Sequence, residues 1–340
     1  MFSTFNNHIA KCCYALLFLV LTPPIYAMQQ TAAANPEREA ALKLLQEKQY
    51  AEAIKAWRTF LSDSKHQKDA EAWWYLGTAL YRNKEIEAAK DTLKKAVKLN
   101  AKSENIRVSY ATVLYADKKF KDAEKEVKEI LKLNANNYDA LYLRASLHYN
   151  KGEFAKSLQD IDSILKATPK FVPIYLLKAQ AMIGQLYTSS SELKLDFPPA
   201  WKATFVEAAQ YMENYLERNP SAPDAEFWHE RIKALRFYSG NENPLGCEKS
   251  SMTVRPVITY QEKAKYTDEA RYGGLQGTIR LRGIFDVDGT IKHIMPMNYL
   301  GGGLSVEAVK AMQKIRFRPA MKDGKPVCVA MIVEFGFNLM

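Results

Sequence analysis

Histidine and cysteine are scarce in this 340-residue chain, five and four respectively. No pair of them has the spacing of a zinc site, which argues against a metalloenzyme. So few cysteines in so long a chain also argue against a disulfide-stapled miniprotein. The signatures of nucleophilic and phosphate chemistry are missing too. No Gly-x-Ser-x-Gly occurs, and Gly301-Gly302-Gly303 is not followed by the Lys and Ser/Thr of a phosphate loop. That triplet reads as a turn ahead of a helix. Asp286 and Asp288 fall on a hairpin turn, where solvation is the default, and His229 and His293 have no partner visible in sequence. No catalytic residue, metal or cofactor is therefore expected. Charge of one sign is not concentrated in a tail. The 48 basic and 38 acidic residues leave a formal +10, too mixed for a nucleic-acid-binding arm.

Long apolar runs are lacking as well. Lys11 is the sole ionised side chain before Glu37, and Cys12–Met28 is apolar but broken by Thr22-Pro23-Pro24. A spanning helix needs ~20 apolar residues. The order of basic start, short apolar run, breaker and small residue is that of a secretory signal, expected at 1–27 with cleavage after Ala27. The alternative is an uncleaved anchor in the inner membrane. Cys12 and Cys13 precede the apolar run, which is the wrong place for a lipoprotein. Cys247 and Cys328 then remain, a pair that permits one disulfide in an oxidising compartment or stands as two thiols.

What is present is a repeat. Apolar residues make up 47% of the chain, enough for packed cores, and its length allows roughly two domains. Tyr50-x-x-Ala53, Ile86-x-x-Ala89, Phe120-x-x-Ala123 and Phe154-x-x-Ser157 align, the later steps being 34 residues. Trp57, Leu93, Val127 and Ile161 follow in phase, then Phe60, Ala96, Ile130 and Ile164. Upstream, Ala41, Gly77, Ala111, Ala145 and Ala179 supply a small residue in each unit. Apolar positions three and four apart predict paired amphipathic helices, and the small residues predict their close approach. This pattern resembles the tetratricopeptide repeat, and implies an all-α solenoid over 36–238 of about five units plus a capping helix at Asp224–Tyr238. The fifth unit is irregular: Ile174–Gly184 pairs with Phe205–Leu216 across an insertion at 187–204. First helices of such repeats line a concave, partner-binding face. Here that places Trp74, Tyr81, Tyr115, Tyr142 and Tyr149 inward, where tyrosine combines apolar area with a hydrogen-bonding tip. Packing between neighbouring helices is the other role open to them.

A turn-rich linker, 239–254, ends the helical pattern. Beyond it the periodicity changes. Lys263–Tyr272 reads as a short helix, Gly277–Val287 and Thr290–Asn298 as strands joined at Asp288-Gly289, and Leu304–Ile315 as a helix. Val327–Leu339 reads as one long alternating strand. The order is that of a small α+β domain, 255–340. Tyr266-Thr267-Asp268-Glu269-Ala270, Gln276-Gly277-Thr278, Asp286-Val287-Asp288-Gly289, Arg316-Phe317-Arg318-Pro319-Ala320 and the closing Glu334-Phe335 resemble the TonB C-terminal domain. Thr267 stands where that family usually has Pro, and Ile315 where it often has Trp. The resemblance implies a periplasmic domain that binds the TonB box of outer-membrane transporters by strand addition. The expected edge is the last strand, with Val327, Val329, Met331, Val333, Phe335 and Phe337. Self-pairing into a homodimer, or cover by the repeats, are the competing fates of that edge.

The whole predicts a multidomain chain, an all-α solenoid followed by a small α+β domain, that binds proteins and catalyses nothing. The expected partners are an outer-membrane TonB-dependent transporter or another envelope protein, with an inner-membrane proton-driven motor where transport is energised. No nucleic acid is among them. A periplasmic adaptor that energises nothing is the alternative, since neither a membrane helix nor a Pro-rich spacer of the TonB kind is evident.

Overall fold

A computed structural model describes residues 35–169, 171–188, 197–222, 224–240, 247 and 252–338. The expected signal at 1–27, most of the linker and residues 189–196 of the insertion lie outside them. The chain forms two compact units, one up to Arg144 and one from Ala145, and the division falls within a helix of the repeat array.

In the first unit helices alternate as hairpins: α1 (Pro36–Gln46) with α2 (Tyr50–Ser62), α3 (Ala70–Arg82) with α4 (Ile86–Leu99), and α5 (Glu104–Ala116) with α6 (Phe120–Leu133); α7 (Tyr138–Asn150) follows. The repeat positions read from the sequence are its core. Ala41, Ala53, Trp57, Ala89, Leu93, Ala96, Ala111, Ala123 and Ile130 are all 0% exposed. The first helix of each pair begins at a side-chain cap, and the caps recur every 34 residues. Asn35, Asp69, Ser103 and Asn137 each accept from backbone N–H groups two or three residues on. The turn inside each pair is closed differently. Lys84 N–H bonds the Tyr81 carbonyl and Glu85 N–H the Leu80 carbonyl. This closure requires a left-handed residue, and Lys48, Lys84 and Lys118 fill it at φ of 62°, 68° and 61°.

The second unit holds the end of α7, then α8 (Phe154–Ala167), α9 (Pro173–Thr188), α10 (Lys202–Arg218) and α11 (Ala225–Ser239). Helices α9 and α10 are the fifth pair, and α11 packs on α10 and on a strand of the C-terminal domain. That domain contains β1 (Val257–Tyr260), α12 (Asp268–Gly273), β2 (Gly277–Phe285), β3 (Ile291–Pro296), α13 (Leu304–Gln313), β4 (Arg316–Arg318), β5 (Ala320–Lys322), β6 (Lys325–Val327) and β7 (Val329–Phe337). Three antiparallel strands run in the order β3-β2-β7, while β1–β4 and β5–β6 form separate ribbons. The core lies between the sheet and α13, with Leu281, Phe285, Leu304, Ala308 and Met312 fully or nearly fully buried.

Two elements differ from the sequence reading. The helix expected over Lys263–Tyr272 starts only at Asp268, where the Thr267 side chain accepts from Ala270 N–H at 3.1 Å. The single strand expected over Val327–Leu339 is interrupted at Cys328, whose sulfur is bonded to that of Cys247. Val327 pairs with Ala320 in one ribbon, whereas Val329 pairs with Phe285 in the sheet. Strands β1, β4, β5 and β6 were not expected at all, being three or four residues long and without clear alternation.

The repeat helices of this unit are joined to the small domain by buried polar contacts. Arg231 of α11 donates to the Ile294 carbonyl at 2.9 Å, and the Tyr187 hydroxyl donates to the Pro296 carbonyl. The Tyr149 and Tyr299 hydroxyls are bonded at 2.6 Å. Burial pushes the Tyr187 and Tyr299 hydroxyls far from ionisation and works against the Arg231 charge. Beside them backbone meets backbone. A Cβ placed on Gly301 would stand 2.6 Å from the Tyr149 carbonyl oxygen and 3.2 Å from Gly152 Cα. The triplet 301–303 is thus a contact surface as well as a turn before α13.

Four substitutions test these features. Lys84→Gly relieves a left-handed backbone and should raise stability in urea unfolding by about 0.5–1 kcal/mol; a loss would refute the strain. Gly301→Ala should cost about 1–3 kcal/mol, because the atoms in its way are backbone. Gly336→Ala, with nothing within 4 Å of the new Cβ, should be neutral. In the first turn of α7, burial pushes the Asp139 carboxyl up to about 6. The native state then holds this proton to higher pH than the unfolded chain does. Its contribution is present below the ordinary carboxyl range and is lost as pH rises through about 6. Asp139→Asn should stabilise by about 1–2 kcal/mol at pH 8 and by nearly nothing at pH 4.

Candidate partner-binding site

The strand β7 is built by alternation. Val329, Val333, Phe335 and Phe337 are buried beneath the sheet, and Met331 is partly buried against the same core. Ala330, Ile332, Glu334 and Gly336 alternate with them, and Glu334 and Gly336 are exposed. The residues singled out from the sequence on this strand are therefore mostly core residues. A ligand here would meet main chain and the opposite alternation. One side of β7 is paired to β2 over nine residues without a bulge, from Gly277↔Phe337 to Phe285↔Val329. The other side has no partner strand among the described residues. Along it, Gln261 Nε2 reaches the Glu334 carbonyl at 3.5 Å, the long limit of a hydrogen bond. On the sheet surface Arg280 Nε stands 3.4 Å from the Glu334 carboxylate, a cross-strand pair that neutralises both ends.

Both ends of the strand are tied down. At its start the Cys247–Cys328 bridge brings the two Cα atoms to 5.1 Å across 81 residues of sequence. At its end the Tyr266 ring meets Phe337 edge-on at 6.1 Å. The opposite sheet edge is engaged, since β3 lies against α11 and gives up the Ile294 and Pro296 carbonyls to Arg231 and Tyr187.

The second candidate surface has a different character. Trp74, Tyr81, Tyr115, Tyr142 and Tyr149 are all buried, none more than 9% exposed. Trp74 Nε1 donates to Ser109 Oγ at 2.7 Å, and Tyr115 stands edge-on to Phe120 at 5.1 Å. Burial raises the Tyr81 hydroxyl to about 12. Tyr149 is occupied by Tyr299 and by the Phe154 ring. In this state they fill the spaces between helices, and a groove ligand would have to displace those contacts. Among the described residues no helix is long and apolar enough to cross a membrane. No cluster of three or more His, Cys, Asp and Glu among them could hold a metal ion.

Sequence reasoning missed Arg231, Tyr187 and Tyr299, which organise the second unit. A lone arginine in an amphipathic helix carries no signal of its burial. The cap series at 35, 69, 103 and 137 did carry one, in the 34-residue spacing of Asn, Asp, Ser and Asn.

Comparison with known proteins follows the same division. Residues 58–173 match the cytochrome c-type biogenesis protein H TPR domain, and residues 262–339 match the Gram-negative bacterial TonB protein C-terminal family. No curated protein matches the sequence. Among solved structures, MamA is similar at 18% identity, covering 56% of this chain and 93% of that one with a TM-score of 0.41. The type IV pilus biogenesis factor PilW is similar at 15%, covering 60% and 88% with a TM-score of 0.47. A tetratricopeptide repeat protein from Parabacteroides merdae is similar at 15%, covering 59% and 73% with a TM-score of 0.45. The chain thus joins two kinds of protein-interaction module, a tetratricopeptide-repeat array and, after it, a domain of the TonB C-terminal family.

Proposed function

We propose that this chain is a periplasmic protein of the TonB family whose C-terminal domain captures an extended TonB-box segment of an outer-membrane transporter by strand addition to β7. In this reading it serves energised transport, with the motor supplied by other envelope proteins, and its repeats offer a second protein-binding surface. It has no catalytic step. One observation carries the proposal: β7 is paired on one side through nine unbroken positions and has no partner strand on the other among the described residues, while the β3 edge is covered by α11. A long edge without a partner strand is a template for another extended chain. Main-chain hydrogen bonds would supply affinity, and the surface around Ile332 and Glu334 selectivity. The Cys247–Cys328 bridge supports an exported location, because such bonds persist in oxidising compartments.

The test uses a synthetic peptide copying the TonB box of a transporter from the same cell, and two versions of it N-methylated at alternate amides. Only amides facing β7 can donate to it. One methylated peptide should bind roughly a hundredfold more weakly, at about 1 kcal/mol per lost hydrogen bond, and the other should match the parent. Equal binding of both, or none by the parent, would remove strand addition as the mechanism.

A further inference from the structure

The ribbon β1–β4 has no part in the reading above, and its outer face is unusual. Seven large apolar residues among the described ones are exposed, and three of them, Val254, Val257 and Tyr260, fall within seven residues of sequence here, at 53%, 45% and 50% exposure. The ribbon's register explains why. Ile258 and Phe317 face each other and pack into or against the domain core, which turns Val257↔Arg318 and Tyr260↔Arg316 outward. Arginine therefore stands opposite an apolar or aromatic residue at two positions on one small surface. The Arg316 guanidinium lies over the Tyr260 ring at 5.8 Å, and Arg255 precedes the strand.

Charge is concentrated in the same place. Residues 252–265 and 314–326 hold eight lysines and arginines against two carboxylates, a large share of the chain's formal +10. One of those carboxylates is consumed, Glu262 pairing with Lys314 at 2.6 Å. Arg255, Arg316 and Arg318 have no carboxylate within 4.0 Å among the described residues. Unpaired arginines interleaved with exposed valines and a tyrosine ask for a partner that is anionic and apolar together. A bilayer surface meets both demands. Its phosphates satisfy the arginines, its acyl boundary takes the valines, and the interface suits an amphipathic tyrosine ring.

An acidic peptide adding to β1 would satisfy the charge alone, and the strand is a poor template for it. It is four residues long, and its ladder with β4 is broken by an irregularity between Ile258 and Tyr260. A bulge of this kind blunts an edge against pairing, whereas a bilayer requires no register. We infer that the outer face of β1–β4 is a peripheral membrane-binding surface that seats the domain on anionic phospholipid headgroups through Arg255, Arg316 and Arg318 with Val257 and Tyr260. It lies on different strands from β7, so either assignment can fail without the other.

The experiment is co-sedimentation of the exported chain with vesicles of equal parts phosphatidylglycerol and phosphatidylcholine, beside vesicles of phosphatidylcholine alone. Binding is expected to the first, and should be largely abolished at roughly 0.5 M salt, where charges are screened within a few ångströms. Each arginine removed should weaken partitioning about fivefold, so Arg316→Gln with Arg318→Gln should lose roughly twenty-fivefold. Tyr260→Ser should weaken it further. Lys94→Gln with Lys98→Gln, an equal charge change on exposed positions of α4, should leave binding intact. All four positions altered for charge are exposed, and unchanged unfolding midpoints will verify the fold. Equal binding to both vesicle types, insensitivity to salt, equal loss in the two charge-matched doubles, or capture of a polyglutamate peptide in place of anionic vesicles would each overturn the assignment.

Discussion

The second unit depends on buried donors meeting two carbonyls. Arg231 and Tyr187 lie on separate helices of the repeat array, yet both donate to the last residues of β3, at Ile294 and Pro296. Arginine cannot shed its proton to escape burial, so its charge requires a fixed acceptor. A carbonyl with an open lone pair at a sheet margin supplies one. The same contact satisfies strand and helix together and denies the β3 edge to any other chain. Close backbone approach at Gly301 and the Tyr149–Tyr299 hydroxyl bond extend it along the loop leading to α13. With one margin of the sheet engaged in this way, the margin at β7 is the one without a partner strand among the described residues.

That arrangement gives the small domain a division of labour among its faces. One sheet edge belongs to the repeat helices, the other has no partner strand among the described residues, and the β1–β4 ribbon projects arginines and apolar side chains outward. The disulfide reinforces this order by holding the start of β7 to residue 247, on the far side of the domain's sequence. A strand clamped at one end keeps its register, which matters wherever a second extended chain is to pair with it. The repeat array contributes in a plainer way. Trp74, Tyr81, Tyr115, Tyr142 and Tyr149 are buried, and the caps at 35, 69, 103 and 137 and the left-handed turns at Lys48, Lys84 and Lys118 recur from pair to pair ahead of the irregular fifth.

The repeat was legible because its physics is local. Small residues at fixed places, apolar residues at helical spacing and caps every 34 positions are properties of neighbouring residues, and Ala53, Ala89 and Ala123 lie where that periodicity places them, at 0% exposure. The hairpin at Asp288-Gly289 and the helix beginning at Leu304 were legible for the same reason. The candidate strand was legible, but Val329, Val333, Phe335 and Phe337 are core residues, since the alternation that marks a strand also marks the face it buries. The short ribbons escaped notice, because three residues make no period.

The amino-acid sequence by itself determined the division into a helical repeat and a small α+β domain, the repeat phase, the main turns and the presence of two cysteines able to pair. Only the tertiary structure decided that those cysteines are bonded, that Val327 and Val329 serve different sheets, that Gly301 is a contact, and that one sheet edge is covered while the other has no partner strand among the described residues. The reason is physical. Local patterns arise from steric and solvation preferences along a few residues. An edge is free or covered according to which distant carbonyl a buried donor such as Arg231 reaches, 63 positions away in sequence.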